Sequence, residues 1–240
     1  MRNKKGELTT QQIVTLIILI ISFGVILFLL VRLNLGDTTN DEICHNSVLL
    51  QKSKLAGGPF DCRTGYGCMS GGGDCVSFNY EDEIEVNDAS NKTKIVKAIA
   101  EEMASCWWMF GEGEVDYVGY SWKLDVLVGK HCAICNVIKF DEQIQDANTE
   151  ISYEELYQYL ELHEVKEGET YLEYLYGVSS TDNLGDKING ISLGDAFSLN
   201  DKFSIITGMK EEENYINPLF IKSSEITSKT ECDVLDITKA

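Results

Sequence analysis

The sequence predicts an α+β domain carried on a single N-terminal membrane helix. Three features point there: a long apolar run near the start, cysteines confined to the residues after it, and a mixture of helical and alternating apolar patterns in that same region. The expected divisions are a head at 1–12, a transmembrane helix at 13–33 and a disulfide-stapled domain at 37–240. That domain should hold a mainly antiparallel sheet and two or three helices.

The apolar run is Ile13 to Val31, interrupted only by Thr15, Ser22 and Gly24. At helical rise it spans about 28 Å, close to the roughly 30 Å of a bilayer's hydrocarbon core. A cleaved secretory signal has a shorter apolar core of about 7–15 residues and ends in small residues. Here Arg32-Leu33-Asn34-Leu35-Gly36 follows, without an Ala-x-Ala pattern. The run lacks an amphipathic stripe, which argues against a buried core helix. The lipid bilayer is therefore its expected partner, and the helix should be retained as a signal anchor. Arg2, Lys4 and Lys5 precede the run, whereas Arg32, Asp37, Asp41 and Glu42 follow it. That bias predicts a single-pass protein of the cell membrane with a cytoplasmic N-terminus and an extracytoplasmic C-terminal domain.

Composition narrows the function. The formal net charge is −19 over 240 residues. Such a surface repels phosphate backbones, so nucleic acid is excluded as a partner. All eight cysteines, Cys44, Cys62, Cys68, Cys75, Cys106, Cys132, Cys135 and Cys232, lie beyond the apolar run. An even number on the side assigned to the exterior predicts disulfides. Four bridges among eight cysteines leave about 105 connectivities open.

In the head, Lys4-Lys5-Gly6-Glu7-Leu8-Thr9-Thr10-Gln11-Gln12 abuts the apolar run. Over about residues 4–31 this resembles the class III signal peptide of archaeal type IV pilin-like proteins. The resemblance implies a cut after Gly6, Glu7 as the new N-terminus, and a helix that stays on the mature chain. Gln11 stands where many pilins carry a Glu. Asn34-Leu35-Gly36-Asp37 interrupts the helix where a pilin would extend it. A plain anchor is preferred here over a processed pilin-like subunit.

Along the outer part, Ile43–Gln51 reads as a short strand with a Leu49-Leu50 core contact, with a helix as the alternative, stopped by Gly57-Gly58-Pro59. The glycine-rich stretch Asp61–Cys75 reads as a loop stapled by Cys62, Cys68 and Cys75. Its cysteine gaps are wider than a zinc knuckle's, and no Gly-Lys-Ser/Thr closes a phosphate cradle. Cys75–Tyr80 alternates as a strand, followed by an acidic turn at Glu81-Asp82-Glu83. Ser90–Phe110 is the clearest helix, with Ile95, Ile99, Met103, Cys106, Trp107 and Phe110 on one stripe. Ser90 or Asn91 caps it and Gly111 ends it. Asn91-Lys92-Thr93 is the chain's single N-glycosylation pattern. In Cys106-Trp107-Trp108-Met109-Phe110 the stripe buries Trp107 and Phe110, leaving Trp108 as the candidate partner contact.

Leu124–Val128 and Ala133–Phe140 read as strands. The Cys132-Ala133-Ile134-Cys135 spacing suggests thiol-redox or metal chemistry, but β-formers continue after it where a redox motif would open a helix. Residues three apart on a strand diverge, so separate structural disulfides are expected. Ser152 and Glu155 form a capping box for a helix running to about Val165. Tyrosines crowd residues 153–176, Thr170–Tyr176 forms a second stretch, and 177–202 reads as a long loop turning at Asn189-Gly190. Phe203–Thr207 and Tyr215–Ser223 form a hairpin. Cys232 needs a bridge to hold down a polar tail.

No catalytic constellation emerges. The histidines are His45, His131 and His163, and no Gly-x-Ser-x-Gly, His-Glu-x-x-His or P-loop is present. No cofactor and no metal site is predicted. The leading expectation is a structural or interaction protein of the cell surface, self-associating or binding a protein partner. The competing class is an anchored enzyme or thiol-redox protein working through Cys132 and Cys135.

Overall fold

A computed structural model describes residues 10–32, 39–52, 61–115, 130–148, 150–188, 190–210 and 214–234. The chain divides into two units, Met1–Thr39 and Asn40–Ala240. In the first, helix α1 (Thr10–Arg32) carries side chains described from Ile13 to Val25, all exposed. Among the described residues no helix is long and apolar enough to cross a membrane. The structure therefore does not support the expected 13–33 span. Gly6, Glu7, the Gly57-Gly58-Pro59 stop, the expected strand Leu124–Val128 and the turn residue Asn189 lie outside the described residues.

The second unit is α+β and is built on one central strand, β3 (Lys130–Phe140). β8 (Phe203–Lys210) runs antiparallel along one edge of β3, and β9 (Asn214–Lys222) forms the expected hairpin with β8. Two strands share the other edge of β3 end to end. β1 (Gly65–Ser70) lies parallel to Asn136–Phe140, and β10 (Cys232–Val234) lies parallel to Lys130–Cys132. β2 (Asp82–Glu85) completes the sheet, parallel to β1. The sheet is thus mixed rather than mainly antiparallel. β8 and β9 are separated by only three residues in sequence, whereas the parallel neighbours in this sheet are joined through longer stretches of chain.

Helix α3 (Lys92–Met109) follows β2 in the chain and packs on β8 and β9. Helices α5 (Tyr153–Leu162) and α6 (Tyr171–Tyr176) cover it from the other side. Enclosed in this way, α3 buries Ile95, Val96, Ile99, Met103, Cys106 and Trp107, as its stripe predicts. Asn91 caps it, and Gly111 with φ +75° lets the chain leave.

Several expectations need correction. Ile43–Gln51 is part of a helix, α2 (Asn40–Lys52), in which the buried residues are Cys44 and Val48, one turn apart. Leu49 and Leu50 are exposed rather than core. The glycine-rich stretch contains β1, because Gly65 and Gly67 allow it to lie against the Asn136 side chain. Cys75–Tyr80 is not a strand. The Cys68–Cys75 bridge ties its start back to β1, and Ser77 sits at φ +62°. The acidic segment after it forms β2 instead.

The capping box of Ser152 and Glu155 is present, but α5 stops at Leu162. Val165 lies in the β5 (Glu164–Lys166) and β6 (Glu169–Thr170) ribbon. Residues 177–202 hold two short 3-10 turns and β7 (Ala196–Ser198), which pairs with β4 (Glu150–Ser152). The buried Leu184, Ile188, Phe197 and Leu199 explain why this polar-looking stretch folds. Short helices α4 (Glu142–Ala147) and α7 (Ile226–Thr230) raise the helix number above the two or three expected. Buried Asp141 caps α4 through the Ile144 N–H at 2.8 Å. Its other oxygen accepts from the Gly71 and Gly73 N–H groups at 2.9 and 2.7 Å.

All eight cysteines are paired: Cys44–Cys62, Cys68–Cys75, Cys106–Cys135 and Cys132–Cys232.

Candidate functional site: an aromatic groove beside strand β9

Where α3 ends, Trp107 is followed by a reversal through Gly111 and Gly113, both with positive φ. A Cβ on Gly113 would stand 2.9 Å from the Trp107 ring and 3.3 Å from that of Tyr215. Glycine therefore lets the loop lie against both aromatics. Across from it, α6 contributes Glu173 and Tyr174 and ends at Gly177 in the left-handed region. The start of β9 supplies Tyr215 and Asn217, and the turn Gly185–Ile188 brings in Lys187. Together they enclose a groove of about 430 Å³. A second depression of about 360 Å³ shares Lys187, Tyr215 and Asn217 with it and continues toward Asn183 and Asp186.

The walls are fixed by hydrogen bonds. Asn217 Nδ2 donates to the Leu175 carbonyl at 2.7 Å, and the Tyr176 hydroxyl donates to the Pro218 carbonyl at 2.5 Å. The Tyr174 hydroxyl donates to Glu112 Oε1 at 2.7 Å, and Lys166 lies 5.5 Å from the Tyr174 ring centroid. Burial holds the Tyr174 hydroxyl far above the ordinary phenol range, with the Glu112 bond and charge adding to it. It stays protonated and serves as a donor. Glu173 is committed to its capping box with Thr170. What the lining offers a guest is aromatic surface, amide groups and the Lys187 cation; Glu112 and Glu173 already accept hydrogen bonds from within the fold. Such a lining can stack and hydrogen-bond; among the described residues it holds no paired nucleophile and base.

Of the residues singled out in sequence, Trp107 reaches the groove and the others lie elsewhere. Trp107 is 7% exposed at the groove floor, as expected of the stripe. Trp108 is half-buried rather than open: the His45 ring stacks on it at 3.9 Å, and His45 Nδ1 is 2.6 Å from its carbonyl. His163 stacks on Tyr159 at 3.8 Å. His131 is buried, and its ring nitrogens have no hydrogen-bond partner among the described residues. Cys132 and Cys135 bond to different partners, so the dithiol of the redox alternative does not form.

A β-bulge between Ile134 and Asn136 makes Cys135 and Asn136 both face α3. Cys135 reaches Cys106, and Asn136 Nδ2 donates to Glu102 Oε2 at 2.9 Å. Glu102 was not anticipated from sequence, being one of many acidic residues. Burial raises its pKa against the opposing effect of the Asn136 bond, with Asp41, Asp82 and Glu101 adding repulsion. Among the described residues no group of three or more His, Cys, Asp or Glu is placed to hold a metal ion. Neither protein-family models nor curated proteins nor solved structures match this chain.

Proposed function

We propose that the protein is a membrane-anchored, extracytoplasmic structural or interaction subunit. The observation that carries this reading is α1. Its apolar side chains stand exposed at 44–63% from Ile13 to Val25 in the isolated chain, and the apolar sequence continues to Val31. Exposed apolar surface of that extent requires a cover, and lipid or neighbouring copies of the same helix would provide it. The paired cysteines support an oxidising exterior for the second unit. The groove supports binding over catalysis, because its hydroxyl is held protonated and its carboxylates are already engaged. The resemblance at residues 4–31 to archaeal pilin-like signals adds a form in which Glu7 is the first residue and the helices gather in a filament.

An impermeant thiol reagent, applied after mild reduction, should label the domain on intact cells. Labelling only after lysis would overturn the orientation. Mass analysis of the N-terminus separates the two forms of the proposal. An uncut head with small oligomers in detergent supports the plain anchor. A terminus at Glu7 with sheared filaments containing the protein supports the pilin-like subunit.

A further inference from the structure

Asn91-Lys92-Thr93 is the only Asn-x-Ser/Thr pattern in the chain, and the structure assigns distinct tasks to the two ends of the Asn91 amide. The cap bond is donated by the Thr93 backbone N–H at 3.1 Å, so the atom receiving it is the carbonyl oxygen. The amide nitrogen has no partner among the described residues. Asp88 braces the approach: its carboxylate accepts from the Ser90 N–H at 3.2 Å and hydroxyl at 2.7 Å, and its carbonyl accepts from the Asn91 N–H at 3.1 Å. Asn91 is thereby held extended, at φ −92° and ψ 96°, at the surface end of α3. Thr93 is exposed, and Lys92 reaches across to Glu155 at 3.4 Å.

We propose that Asn91 carries a glycan on its amide nitrogen. The inference rests on the extracytoplasmic placement proposed above, where a lipid-linked glycosyl phosphate would be the donor. In the transfer the nitrogen attacks the anomeric carbon of the sugar and an N–C bond forms. The bond from that carbon to the phosphate oxygen breaks, and the lipid phosphate leaves with the electron pair. One of the two amide protons passes to a base of the transferase. The product keeps its carbonyl oxygen, so the cap on α3 survives modification. A folded domain can thus accept the sugar without losing the start of its central helix.

The test uses the full-length protein purified from its own cells, with peptide mapping by mass spectrometry. The peptide containing Asn91 should be heavier by a glycan mass, and Asn91→Asp and Thr93→Ala should each abolish that increment. Both variants keep the cap, the first through a carboxylate oxygen and the second through the retained Thr93 backbone N–H. Both should melt with the enzymatically deglycosylated wild type. Unmodified Asn91 in a protein whose domain is labelled on intact cells overturns the glycan alone. Unmodified Asn91 with labelling only after lysis overturns the placement as well.

Discussion

Glu102 shows how one side chain records the polarity of its surroundings. It lies on α3 against Asn136 of β3, with the charges of Asp41 of α2, Asp82 of β2 and Glu101 repelling its own. Its folded pKa lies above the ordinary 4.5 of a free carboxyl, so the fold prefers the neutral acid. That contribution to stability is fully present below the unfolded pKa and is lost as pH rises through the folded one. Asn136 Oδ1, meanwhile, is buried without a hydrogen-bond partner among the described residues. Glu102→Gln removes the titration and supplies a donor for that oxygen. We expect the variant to be more stable than wild type at pH 7 by about 1 kcal/mol. The gain should shrink toward acidic pH. Chemical denaturation at pH 7 and pH 4 measures it, and an equal or lower stability at pH 7 would refute the burial argument.

At the scale of elements, the pairing of β3 with β8 depends on an absent side chain. Gly208 faces Cys132 at the irregular end of β8, where a Cβ would press on the His131 carbonyl and lie 3.0 Å from the Cys132 Cα. Its backbone is extended, so the requirement is space rather than conformation. Gly208→Ala should cost about 1–3 kcal/mol in urea denaturation, because backbone is less able to yield than a side chain. The same elements show what the sequence could disclose. The α3 stripe, the Ser152–Glu155 capping box and the β8–β9 hairpin were legible because each is written in residues close together. β1, β2 and α2 were not, since their states depend on contacts beyond their own residues: β1 on Asn136 of β3, β2 on β1, and α2 on α3. The groove was the least legible feature. Its walls come from the end of α3, from α6, from Lys187 and from the start of β9, and the cluster of tyrosines was its only local trace.

Across the whole molecule, the bridge with the greatest reach is Cys132–Cys232, at a sequence separation of 100. Loop-closure entropy assigns a link of that length about 4–5 kcal/mol. The double variant Cys132→Ser, Cys232→Ser should therefore lower the denaturation midpoint more than loss of Cys68–Cys75, whose separation is 7. Comparable losses would show that strain or residual structure outweighs chain entropy. The bridge also bears on how the protein is made. β3 leaves the ribosome a hundred residues before the strand that fills the lower half of its edge. Until Cys232 emerges, that edge is bare and Cys132 lacks its native mate. Translation that stops short releases a chain with an odd thiol, chemically marked as unfinished. The bridge to Cys232 thus closes the edge of β3, and a single covalent bond distinguishes a chain that has reached β10 from one that has not.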